Sequence, residues 1–310
     1  MQNKIMYYLD KVHKLESGIF VPPITCEIDP SNRCPLQCKF CMFAGSNKHS
    51  NEDLPLRLYG DLINQLLSLD VRSITFTGGG EPLMNKRYDE MARCAFSLGF
   101  QVGLITNGVL ADQRLGYVDR YKFIRISLNA GNSYDYYNIT GKDLFGRVVN
   151  NTKDLIKRGG FVGWSYVVCP ENKSSIKEAQ RLAEEVGVQY IQFKPAWING
   201  KPYNDYEVNG EKVIDTRRYH AYDNLPCSIA GLIGIVGADG HLYYCCQYRG
   251  DKRFDLGALK HNNFRHLWEK RLKMKPDVSK CPHCRYMNYA RAYQEMMLNA
   301  DIFFDHKDFL

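Results

Sequence analysis

Cys34, Cys38 and Cys41 fall within one short stretch, NRCPLQCKFC. Three thiols on so tight a loop can each hold one iron of a [4Fe–4S] cluster and leave the fourth iron open to an outside ligand. Two other chemistries use the same residues: a zinc site with Cys26 as fourth ligand, or plain buried thiols. A second group lies in the last third of the chain: Cys227, Cys245 with Cys246, and the pair Cys281-Pro-His-Cys284. Four of these thiolates would close a metal centre, either a second cluster or a structural zinc site with four cysteine ligands. Eleven cysteines in all, an odd number, and an N-terminus (MQNKIMYYLDKVHK) charged where a signal peptide is apolar argue for metal binding rather than a disulfide framework. Cys169 and Lys194 end strand-like runs: the thiol is placed to face the barrel mouth, and the lysine either to pair with a substrate anion or to be simply solvated. Cys94 lies in a helical pattern and reads as core. His241, His261, His266 and His283 share no ligand spacing.

The elements that must carry these residues emerge from periodicity. Short β-branched runs, TCEID (25–29), SITFTG (73–78), VGLIT (102–106), FIRISL (123–128), VGWSYVV (162–168) and YIQFKP (190–195), alternate with amphipathic stretches at Leu56–Leu69, Lys86–Leu98, Arg147–Lys157 and Ser174–Val186. Pro55 and Ser174 mark helix starts, and Gly99, Gly159 and Gly187 mark ends. Strand–helix alternation of this kind predicts α/β architecture, a partial (β/α)6 barrel of parallel strands over residues 24–195, with chemistry at the strands' C-terminal ends. Residues 1–23 read as an N-terminal helix packed on the barrel, and 196–224 as a linker or covering segment. Residues 225–310 read as a small domain of a β-hairpin plus helix: LIGIVGADGHLYYCCQY (232–248) turning at Asp239–Gly240, a helix at about Asn263–Lys273, and a last helix to about Asn299. A 310-residue chain of 45% hydrophobic and 24% charged residues is ordinary globular composition. Its net charge of +7 suits a basic pocket for an anion but does not argue for nucleic acid. No apolar run is long enough for a membrane span, so the expectation is a cytoplasmic protein with no membrane or nucleic-acid partner.

The triplet, together with the motifs at the next strand ends, resembles the radical S-adenosylmethionine (SAM) superfamily. That family carries CxxxCx(aromatic)C on the loop after its first strand, matched by Cys34, Cys38, Phe40 and Cys41. Its second strand ends in a GGE-type turn, matched by Gly79-Gly80-Glu81, and polar residues at the next strand ends are matched by Thr106-Asn107 and by Ser127 and Asn129. The resemblance implies that Gly79, Gly80 and Glu81 approach the methionyl ammonium of SAM, and that Thr106, Asn107, Ser127 and Asn129 approach its ribose and carboxylate. It also implies a cluster on Cys34, Cys38 and Cys41 that splits SAM into methionine and a 5′-deoxyadenosyl radical, with a flavodoxin- or ferredoxin-type electron donor. The C-terminal cysteines resemble the SPASM/twitch auxiliary domain, which implies an auxiliary [4Fe–4S] cluster on Cys227, Cys245, Cys281 and Cys284. Cys246 is left as an alternative ligand to Cys245 or as a hydrogen donor beside the substrate.

The few residues before the first strand leave no room for a leader-binding domain of about eighty residues. On that ground the expected activity is that of an oxidoreductase or epimerase: hydrogen abstraction from a small polyol, amino sugar or nucleotide sugar, ending in dehydrogenation or epimerisation. The alternatives are a peptide- or protein-modifying radical SAM enzyme and a zinc-stabilised binding module.

Overall fold

The structure, a computed structural model, describes residues 4–43, 51–198, 201–212, 227, 229–274 and 289. Six parallel strands form where the alternation requires them: β1 (Thr25–Ile28), β2 (Ser73–Phe76), β3 (Gln101–Thr106), β4 (Phe123–Ser127), β5 (Val162–Val168) and β6 (Tyr190–Pro195), each hydrogen-bonded to the next. Their period-2 pattern sorts the side chains. Ile74, Phe76, Ile124, Ile126 and Trp164 enter the hydrophobic core, whereas Arg125, Ser127 and Ser165 point to the opposite face and line cavities there.

A first helix, α1 (Leu9–Glu16), precedes the sheet, and α2 (Leu56–Ser68), α3 (Tyr88–Ser97), α4 (Ser133–Thr140), α5 (Phe145–Lys157) and α6 (Ile176–Val186) cover its core face. In α2 the buried residues Tyr59, Leu62, Ile63 and Leu66 recur at i, i+3, i+4 and i+7, the stripe a helix needs to lie on a sheet. α1 packs through the fully buried Val12 against Leu232. α4 was not apparent from apolar periodicity. Its ends carry ordinary signals all the same: the Asn132 side chain accepts from Asp135 N, and Gly141 closes the helix at φ 70°.

The hairpin appears as β7 (Ile233–Val236) and β8 (His241–Tyr243), with Gly240 at φ 74° in the turn and Asp239 accepting from His241 N. An unexpected strand, β9 (Asp255–Ala258), comes next, and then α7 (Phe264–Lys270). These elements extend the barrel sheet. β7 pairs parallel to β1, giving a nine-stranded open sheet among the described residues, ordered β9-β8-β7-β1-β2-β3-β4-β5-β6. Without β7 that side of β1 would be a bare edge of unpaired N–H and C=O groups. Leu242, Leu256, Phe264 and Trp268 accordingly bury in the same core as α2 and β1. The described part of 196–224 holds two very short hairpins, Trp197–Ile198 with Lys201–Pro202 and Glu207–Val208 with Glu211–Lys212. Cys281, His283, Cys284 and the helix expected to about Asn299 lie outside the described residues.

Candidate active site

The cysteine loop leaves β1 at Ile28 and is strapped at its base. Asn85 Nδ2 donates to Pro30 O (2.8 Å) and Leu54 O (3.1 Å), Arg33 pairs with Asp53, and Arg33 Nη2 donates to Met84 O (2.9 Å). Its far end docks on α4, where Gln37 N donates to Thr140 O and Lys39 N to Ile139 O. Phe40 packs with Ile139, Cys169 and Ala196, so the family's aromatic position anchors the loop between α4 and the end of β6. The Cys41 N–H to Cys38 O bond (2.9 Å) then turns the chain back, and Cys34, Cys38 and Cys41 come to line one cavity of about 200 Å³.

The other residues singled out in the first half of the chain line that same cavity: Gly79, Gly80 and Glu81 from the turn after β2, Thr106 and Asn107 at the end of β3, and Ser127 and Asn129 at the end of β4. Much of their polar capacity is spent on one another. The buried Glu81 carboxylate accepts from Thr106 Oγ1 (2.6 Å), Asn107 N (2.7 Å) and Leu83 N (3.1 Å). It therefore ties the ends of β2 and β3 together, with three of about four acceptor positions filled. Burial nonetheless pushes its pKa up to about 7, since those three donors only partly offset the loss of water. Asn129, at φ 59°, accepts from Val167 N (2.9 Å) and so links β4 to β5. Gly80 is required on steric grounds. A Cβ there would meet the backbone of Asn32 and Arg33, because the turn lies directly on the cysteine loop.

Three facts about the donor set bear on what it can hold. Burial raises the Cys34 and Cys38 thiols to about 11 and about 12, and neighbouring thiols add to both shifts, so the group needs a cationic centre to ionise it. Asn107 Nδ2 lies 3.8 Å from Cys34 Sγ, as a donor to a ligating sulfur would. Among the described residues no three Cys, His, Asp or Glu side chains converge on a single ion, whereas the irons of a cluster each take one thiolate. Cys26 is not the missing zinc ligand of the alternative reading; it is fully buried in the core beside Gly234. The loop fits an iron–sulfur cluster.

A second cavity of about 320 Å³ adjoins the first, sharing Phe43, Thr77, Gly78, Ile105, Ser127 and Val167. Arg125, Lys194 and Arg249 also line it, with Ser165, Gln247 and Cys246. Arg249 was not apparent from sequence. Its guanidinium, 6% exposed, pairs with Glu27 (2.6 Å) and Asp29 (2.9 Å), and Nη1 donates to Cys246 O. Asp29 in turn accepts from Gly79 N (3.2 Å), so one buried ion cluster connects the hairpin's cysteines to the glycine turn.

The consecutive cysteines have different neighbours. Cys246 lines the second cavity. The Cys245 thiol is pushed well up, first by its contact with Cys246 and then by burial, with Cys227 close enough to contribute; it also accepts from Gln247 N (3.5 Å). Cys169, at the end of β5 and placed to face the barrel mouth, is instead 2% exposed and packs against Ile139 and Ala196.

An α/β sheet whose strand ends surround a thiol-lined cavity, with a second, basic cavity beside it, defines an enzyme of the metal–sulfur barrel class. The family description "Radical SAM superfamily" matches residues 28–183, and the chain belongs to that superfamily. Its cofactors are a [4Fe–4S] cluster and SAM, and the cluster, when bound, supplies the electron that cleaves SAM. The chain is 27% identical over 135 residues to the GTP 3′,8-cyclase of Synechocystis sp., covering 42% of this chain and 41% of that one. It is 28% identical over 180 residues to the PqqA peptide cyclase of Gluconobacter oxydans, covering 55% and 49%. The chain thus spans about half the length of the curated relatives it matches. Its fold matches Streptococcus suis SuiB bound to precursor peptide SuiA, with TM-score 0.63 at 16% identity, over 91% of this chain and 72% of that one.

These comparisons correct one expectation. A sugar or polyol substrate, with dehydrogenation or epimerisation, is not supported, because the relatives are a GTP 3′,8-cyclase and a PqqA peptide cyclase. The number of residues ahead of β1 measures what precedes the barrel, not what the barrel's cavity accepts. Among the described residues no helix is long and apolar enough to cross a membrane.

Proposed function

We propose that this chain is a radical SAM enzyme that modifies a peptide at a carboxylate-bearing residue. The observation that carries the reading is the basic second cavity, which adjoins the thiol-lined one through six shared residues. At about 320 Å³ it lies at the small end of ligand pockets, suited to one side chain with its flanking backbone. Arg125 on β4 and Lys194 on β6 bring two cationic side chains to its lining. Glu27 and Asp29 lie behind Arg249 and take up its charge. Ser127 and Ser165, paired across β4 and β5, add hydroxyls beside a bound oxyanion. In this reading Gly79, Gly80, Asn107 and Ser127 hold SAM, and Glu81 keeps the ends of β2 and β3 in register around it. Cluster and SAM, when bound, supply a 5′-deoxyadenosyl radical that takes one hydrogen atom from the substrate. Cys227 and Cys245, with Cys281 and Cys284, hold an auxiliary cluster, and a flavodoxin- or ferredoxin-type protein delivers electrons.

The identity to GTP 3′,8-cyclases favours a second reading, a nucleotide substrate. A nucleoside triphosphate is larger and more highly charged than this cavity matches. Both readings are tested with reconstituted anaerobic enzyme, SAM and dithionite. Short peptides carrying glutamate are expected to raise 5′-deoxyadenosine formation about tenfold over their glutamine counterparts, the worth of one charge-assisted contact. Deuterium on the glutamate side chain should pass into 5′-deoxyadenosine. Equal response to both peptides, or a response to GTP alone, would overturn the peptide reading. No 5′-deoxyadenosine under any condition would overturn the radical reading.

A further inference from the structure

Asp29 stands where β1 ends, held on both sides by backbone: Asp29 N donates to Val236 O on β7 (2.9 Å), and Thr77 N, just past β2, donates to Ile28 O (3.0 Å). Its side chain is buried, and a single oxygen, Oδ2, meets two donors. One is Gly79 N at 3.2 Å and the other is Arg249 Nε at 2.9 Å. The glycine turn rests directly on this carboxylate, since a Cβ added at Gly78 would stand 3.2 Å from Asp29 Cβ and Cγ. The bond to Gly79 fixes the plane of the Gly78–Gly79 peptide. In a trans peptide the carbonyl points opposite to the N–H, so the Gly78 carbonyl is turned away from Asp29. Gly78 lines both cavities. Arg249 lines the basic cavity too, but each of its three nitrogens already has a protein partner: Nε pairs with Asp29, Nη2 with Glu27 and Nη1 with Cys246 O.

We infer that Asp29 is a positioning residue for SAM: it holds the Gly78 carbonyl toward the methionyl ammonium, and Arg249 locks Asp29 in place. This rests on the reading of the glycine turn as a SAM contact and adds two residues to it. A carboxylate would be the stronger partner for an ammonium, but Glu81 already has three of about four acceptor positions filled by Thr106, Asn107 and Leu83. The ammonium therefore depends on carbonyl oxygens of the turn, and those serve only when their orientation is fixed beforehand. Arg249, although it lines the substrate cavity, then acts on SAM through Asp29. It leaves the substrate's carboxylate to Arg125 and Lys194.

The test measures binding rather than turnover. SAM and 5′-methylthioadenosine, which lacks the amino-acid part of SAM, are titrated by equilibrium dialysis against the full-length, reconstituted enzyme, without oxygen or reductant. Asp29→Ala should weaken SAM about tenfold, the worth of one hydrogen bond to a charged group, with methylthioadenosine unchanged. Asp29→Asn keeps one oxygen for Gly79 N and should restore SAM to within about threefold of wild type. Arg249→Lys keeps a charge beside Glu27 but loses the planar fork that meets Asp29. It should weaken SAM several-fold, again with methylthioadenosine unchanged, and it carries the test if Asp29→Ala does not fold. The preference for glutamate over glutamine peptides should persist in Arg249→Lys. Wild-type SAM binding in Asp29→Ala, or an equal loss of both ligands, would overturn the inference. Loss of the glutamate preference in Arg249→Lys would make Arg249 a substrate contact and overturn its assignment. A wild-type enzyme that binds no SAM would overturn the reading of the turn itself, a failure distinct from the others.

Discussion

Gly80→Ala adds a Cβ that would stand 2.4 Å from the Asn32 carbonyl carbon and 2.5 Å from the Arg33 carbonyl oxygen, about 1 Å inside ordinary contact. Neither atom belongs to a side chain that can turn away. Arg33 O accepts from Glu81 N at 2.8 Å, and the loop's base is held by Asn85, so relief requires the glycine turn to lift off the cysteine loop. Overpacking of this kind costs about 1–3 kcal/mol, and backbone-on-backbone contact places Gly80→Ala near the top of that range. Gly60→Ala makes the same chemical change inside α2, where an added Cβ meets nothing within 4 Å. There alanine's helix preference should stabilise by up to about 1 kcal/mol. Urea unfolding of the metal-free chains gives both values, and iron per chain after reconstitution reads the loop's geometry. Gly80→Ala should lose both stability and iron, and Gly60→Ala should gain stability at full iron. A Gly80→Ala variant with wild-type stability and full iron would refute the account of the turn as a close-packed platform for the loop.

Two further predictions concern buried polar groups. Asn172 is fully buried; its Oδ1 accepts from Cys169 N and its Nδ2 donates to Asn129 O and Val167 O, each at 2.8 Å. Asn172→Ala strands three backbone groups and should cost about 2–4 kcal/mol in urea unfolding; a loss below 1 kcal/mol or so would show that water or a shift of the 169–172 turn replaces them. Burial raises Glu81 to about 7 and Asp29 to about 6, both above ordinary carboxyl values, despite Arg249 beside Asp29. The folded metal-free chain therefore binds more protons than the unfolded one between about pH 4 and pH 7. The stability these groups contribute is full below that window and is lost as pH rises through it, with Glu81 accounting for about 3 kcal/mol. Glu81→Gln should flatten the decline, and a wild-type stability that rose across the window would contradict the assignment.

The sheet was legible in the chain because each parallel strand is a short β-branched run set between amphipathic helices. The cysteine loop was legible because ligand chemistry demands particular residues at particular spacing. Periodicity alone missed α4 because its apolar residues, Tyr136 and Ile139, are few, although Asn132 and Gly141 mark its ends. It missed β9 because Gly257, at φ 128°, and a four-residue length leave little alternation to detect.

Local pattern determined the six parallel strands and the amphipathic helices between them, the Asp239–Gly240 turn and the residues that surround the thiol-lined cavity, since propensity, capping and metal chemistry act over a few residues. Only the tertiary structure decided that β7 covers the edge of β1 and that Glu81 knits strand ends together. It also decided that Arg249 meets Glu27 and Asp29 across more than two hundred residues of chain, and that Arg271 lies buried over the Tyr244 and Trp268 rings. Each of these depends on which groups long-range packing removes from water. A buried charge or an unpaired strand edge has a cost set by neighbours distant in sequence, and no local pattern records them.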